Sequence, residues 1–150
     1  MGWGWVADWF WGLPLLILTV VFHVSIFVLM GRTMVRKARV SKARDLETRP
    51  QRRRRFILGI ALIALGAAAL HSFEASVWAM LYLWLDALPD AETAMLYSLG
   101  AITSYGHAGV YLPDRWRLLG AIEAMNGLIL FGLTTAFLFG AIEKVEQSRG

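Results

Sequence analysis

The chain carries three histidines, His23, His71 and His107, and no cysteine. Thiol catalysis, disulfides and iron–sulfur ligation are therefore excluded. His71 and Glu74 stand three residues apart in an apolar run, so on a helix they share one face. His23 and Glu123 stand in two further apolar runs. An ionisable group among apolar residues needs a partner, because an isolated charge in hydrocarbon is costly. Three kinds of chemistry are open to these residues: a hydrogen-bonded network bracing the loop between the second and third spans, with Glu74 neutral, proton sensing by the histidines, and haem or metal ligation by His23 and His71. The network is the expected reading. No metal or cofactor is expected, since no further ligand is evident, and no residue set suggests an enzyme.

The elements that must position these groups are membrane-spanning in character. Hydrophobic residues make up 57% of the 150 positions and charged residues only 17%, below the quarter usual in soluble domains. Three stretches reach the roughly 20 apolar residues that a bilayer demands: Trp11 to Gly31, Phe56 to Leu85, and Trp116 to Ile142. At about 1.5 Å per residue, His23, His71 and Glu74 fall at a common depth, and Glu123 lies about 10 Å below Trp116. The first stretch has Asp8 and no basic residue before it, unlike a signal peptide, so a retained helix is expected.

Charge then orients the spans. Eleven of the fifteen Lys and Arg lie between Arg32 and Arg55. This segment, 32–55, is expected to be a basic cytoplasmic loop drawn to anionic lipid headgroups. No aromatics interleave the arginines, so nucleic acid is not an expected partner. The N-terminus is then outside and the C-terminus cytoplasmic, in the cell (inner) membrane, with a short tail over 146–150.

Between the second and third spans, Asp90 is a good N-cap and the following ten residues have helical spacing, too few to cross a bilayer. Irregular backbone is expected from Gly100 through Thr103, Ser104, Tyr105, Gly106, His107, Ala108 and Gly109. At membrane depth such backbone must be buried by protein or line a wet cavity.

The residues here carry a resemblance. Ala94-Met95-Leu96-Tyr97-Ser98-Leu99 is comparable with the "EALYFSL" pore helix of bacterial members of the two-helix pore-loop ion-channel superfamily, the group containing potassium channels. Leu112-Pro113-Asp114-Arg115-Trp116-Arg117-Leu118-Leu119-Gly120 resembles that family's "LPxxWRLLG", and Phe131-Gly132-Leu133-Thr134-Thr135-Ala136 its "FGxxTA". The resemblance implies an all-α membrane protein: one additional N-terminal transmembrane helix over 1–31, then a pore module over 56–145. That module would comprise an outer helix over 56–85, a pore helix and filter-like loop over 89–112, and an inner helix over 116–142. It further implies a homotetramer around an axis lined by Leu128, Phe131 and Thr135, with Gly127 as a gating hinge.

The filter departs from the family. Aligned from Leu112-Pro113, "TxGYGD" falls on Ser104-Tyr105-Gly106-His107-Ala108-Gly109, and only the first glycine is kept. Ala108 would resist a left-handed backbone by roughly 1 kcal/mol or more. Potassium selectivity is therefore not carried over. The implied function is passive permeation of monovalent cations, K⁺ or Na⁺, with weak or atypical selectivity. His107 is either a structural hydrogen-bond donor or a ring of charge that attenuates cation flux in acid. A non-conducting scaffold or sensor, and a haem-binding membrane protein, are the alternatives.

Overall fold

The computed structural model describes residues 4–42, 49–106 and 109–147. It is helical, with no strand among the described residues: α1 spans Gly4–Lys42, α2 Arg49–Trp84, α3 Ala91–Ile102 and α4 Arg117–Gln147, with a short 3-10 turn over Asp114–Trp116 leading into α4. Three of these helices are long and apolar enough to cross a membrane, over Trp5–Thr33, Ile57–Trp84 and Asp114–Glu143. This is the architecture of a membrane protein.

The helices outrun their apolar cores. α1 has 39 residues, about 58 Å of helix, nearly twice a hydrocarbon thickness of about 30 Å. The basic segment expected as a loop over 32–55 is mostly helix: α1 continues to Lys42 and α2 already begins at Arg49. Arg and Lys are strong helix formers, and a helix leaving the apolar phase has no reason to stop at its boundary. Residues 43–48, between the two helices, lie outside the described residues. Pro14 lies inside α1.

Side-chain pairings give the topology. Along α1 and α4, Gly12 faces Leu119 and Ile122, Thr19 meets Asn126, His23 meets Thr134, and Phe27 stacks on Phe137. The two helices therefore run parallel. α2 runs against both, since Tyr82 meets Glu123 and His71 meets Thr134.

α3 starts where the sequence indicates, with Asp90 in extended backbone accepting from Thr93 N–H at 2.8 Å. It continues to Ile102, two residues beyond the expected break at Gly100, and its end is closed by Thr103 N–H donating to the Leu99 carbonyl and Ser104 N–H to the Ala101 carbonyl. Twelve residues give about 18 Å, too short to cross a bilayer. The helix wedges between α2 and α4, burying Ala94, Tyr97, Ser98, Ala101 and Ile102. Two glycines of α4 admit it. A Cβ at Gly120 would collide with the Tyr97 hydroxyl, and one at Gly127 with the Ile102 backbone. α4 passes through Gly127, the expected hinge, without a break.

Candidate functional site

About 10 Å along α4 beyond the end of α3, the helices α1, α2 and α4 close on one another around polar side chains. His23 Nδ1 lies 2.8 Å from Glu74 Oε1, and His71 Nδ1 lies 3.4 Å from Glu74 Oε2 without forming a hydrogen bond. The far nitrogens of both rings, His23 Nε2 and His71 Nε2, are each 3.1 Å from Thr134 Oγ1. That hydroxyl is also 2.9 Å from the Leu130 carbonyl, to which it donates. His23 and Glu74 are fully buried, and His71 and Thr134 nearly so. Three helices thus supply four side chains to one closed polar cluster.

Hydrogen-bond capacity assigns the tautomers. A threonine hydroxyl has one donor and two acceptor sites. With its proton on Leu130, it accepts from two N–H groups, so both imidazoles carry Nε2–H and both turn Nδ1 toward Glu74. The 2.8 Å contact then holds one proton shared by His23 and Glu74.

The structure brings together three of the four residues expected in one intramembrane network and separates the fourth. Glu123 lies eleven residues before Thr134 on α4, about 16 Å away along the axis. It accepts a 2.7 Å hydrogen bond from Tyr82, with Ser98 of α3 buried beside it. Between the two layers Thr19 and Asn126 bond each other at 3.0 Å. Near the start of α4, the buried Asp8 carboxyl sits against the Leu119 backbone.

Thr134, Thr19 and Tyr82 were not singled out by sequence reasoning, which named the neighbouring Thr135 as a residue lining the axis. Thr135 is exposed and bonds back to the Phe131 carbonyl at 2.9 Å. A signal did exist: Glu123, Asn126 and Thr134 recur at 3 and 8 residues, and Thr19 and His23 at 4, so each set shares a helix face.

The filter-like loop and the α4 face form a second, exposed region. Thr103, Ser104, Tyr105, Gly106 and Gly109 are all exposed. Ser104, Gly106 and Gly109 take φ of 56°, 91° and 80°, the left-handed region that glycine tolerates best. Gly106 N–H returns to the Gly100 carbonyl at 3.3 Å, folding the loop back onto the end of α3. His107 and Ala108 lie outside the described residues. Leu128 and Phe131 are 63% and 41% exposed, on the same helix as the buried cluster. Phe131 stacks on His71, with ring centroids 4.6 Å apart and planes at 16°, and so joins the two regions.

No protein-family model, curated protein or solved structure matches the chain.

Proposed function

We propose that this chain is one subunit of an oligomeric membrane pore that passes monovalent cations down their gradient with weak or atypical selectivity. The observation that carries this reading is the meeting of Ile102 with Gly127. Gly127 lies eleven residues, about 16 Å, along α4 from Trp116, which is half a hydrocarbon thickness. A short helix ending at that depth puts its carbonyl end, with its partial negative charge, where a permeant cation most needs stabilisation. The exposed loop Thr103–Gly106 follows, and Leu128, Phe131 and Thr135 continue the exposed surface from that level along α4.

Two helices and a half-helix cannot enclose a hole, so the reading requires several copies, four by resemblance, around an axis facing these residues. The basic ends of α1 and α2 then lie on the cytoplasmic side near anionic headgroups. The family resemblance of the segments flanking the loop supports the same assignment, and the altered filter is the reason potassium selectivity is not part of it.

Purified protein in liposomes should dissipate an imposed K⁺ or Na⁺ gradient, and its mass in lipid should be that of a closed ring. Absence of flux for any monovalent cation over a range of voltage and pH sinks the conduction reading. A monomer in lipid sinks the pore altogether.

A further inference from the structure

We infer that His23, His71 and Glu74 form a binding site for one divalent d-block metal ion of the Zn²⁺ class per chain, positioned by Thr134. This site is independent of the pore reading. The sequence places Glu74 at the depth of both histidines, and the fold brings its carboxylate to their Nδ1 atoms. A donor atom from each of the three residues lies within 4.8 Å of the others.

Four observations converge. First, the Thr134 hydroxyl occupies both Nε2–H groups, so both Nδ1 lone pairs are directed toward Glu74. Metal-ligating histidines are held in this manner, with the outer N–H on a fixed acceptor. Second, His71 Nδ1 and Glu74 Oε2 are buried, 3.4 Å apart, and neither has a hydrogen-bond partner. Two facing lone pairs without a proton repel, and a cation between them removes that cost.

Third, the spacing suits the ion. With bonds of about 2.0–2.1 Å to nitrogen and oxygen, a tetrahedral zinc site separates neighbouring donors by about 3.3 Å. The His71 Nδ1–Glu74 Oε2 pair at 3.4 Å already has this spacing, and His23 Nδ1, which lies 2.8 Å from the other carboxylate oxygen, Oε1, must shift toward the same ion as its proton leaves. Fourth, the donor set is selective. Two imidazole nitrogens with a carboxylate suit Zn²⁺, Co²⁺ or Ni²⁺, whereas Mg²⁺ and Ca²⁺ demand all-oxygen shells. The metal enters as M²⁺ and the proton shared by His23 and Glu74 leaves to solvent, so the site gains one net positive charge.

The test uses the full-length protein, stripped with chelator and reconstituted in lipid nanodiscs. One equivalent of Zn²⁺ should bind per chain and raise the unfolding temperature. Binding in a weak buffer should release about one proton per metal, and Co²⁺ should give the visible bands of a low-coordinate nitrogen–oxygen site. Glu74→Gln and His71→Gln should each weaken binding at least tenfold. Thr134→Val should weaken it roughly 10- to 100-fold, whereas Thr134→Ser, which keeps the hydroxyl, should restore wild-type affinity. Absence of stoichiometric Zn²⁺ or Co²⁺ binding to the wild-type protein overturns the proposal, whatever the variants do. So does binding that survives in Glu74→Gln and His71→Gln but disappears in His107→Gln, which would place the ion on the loop.

Discussion

Ile102, the last residue of α3, lies directly against Gly127 of α4, so closely that a single added carbon on Gly127 would overlap its backbone. This contact fixes how far the short helix reaches along α4. It makes residue 127 a position where size alone decides stability. Gly127→Ala should destabilise the fold by about 1–3 kcal/mol, the usual cost of overpacking. Gly59→Ala, where a Cβ meets nothing within 4 Å, should be neutral or gain up to about 1 kcal/mol of helix propensity. Unfolding in lipid or mild detergent measures both. Equal stabilities for the two variants would contradict the close approach.

Tyr82 is the 2.7 Å donor to the buried Glu123. Tyr82→Phe removes the hydroxyl and leaves a carboxylate oxygen unpartnered, which should cost about 1–3 kcal/mol. Glu123→Gln should cost less, because the amide oxygen still accepts from Tyr82. If Tyr82→Phe unfolds at the wild-type temperature, this bond is not part of the stabilising network.

Asp90 is exposed, and the Thr93 backbone N–H, then the Thr93 hydroxyl, hold its carboxyl below the usual aspartate range. A lowered folded-state value means that the ionised cap stabilises α3 at pH above the ordinary aspartate value. That contribution is lost as pH falls through the lowered value. Asp90→Asn, a comparably good cap, should keep neutral-pH stability and remove this acid-side dependence, whereas Asp90→Ala should lower stability at neutral pH. Thermal unfolding from neutral pH down to about pH 3 distinguishes them, and identical acid slopes in wild type and Asp90→Asn would refute the capping role.

The absence of cysteine makes single-cysteine labelling clean. Leu128→Cys and Thr135→Cys should react with water-soluble thiol reagents in reconstituted protein and reduce cation flux, because thiolate chemistry needs water. Leu130→Cys, at a fully buried position on the same helix, should not react. Exclusive reaction of Leu128→Cys and Thr135→Cys with lipid-soluble reagents would turn that face toward lipid and away from a pore.

What could be read before folding was local. Helical character and three spans follow from apolar runs of sufficient length, because transfer into hydrocarbon adds up residue by residue. The start of α3 follows from Asp90, because a cap acts within one turn. The grouping of His23, His71 and Glu74 at one depth also follows, since rise per residue is constant. Which partners they meet did not. α1, α2 and α4 are apolar almost all round, so only a few polar residues at helical spacing mark the inner face. Without a hydrophobic drive between helices in lipid, small residues and interhelical hydrogen bonds set rotation and offset. Close approach at Gly120 and Gly127 and the bonds of Thr134 to His23 and His71 are tertiary choices of this kind. They placed the Thr134 hydroxyl between His23 and His71 and left Thr135 exposed.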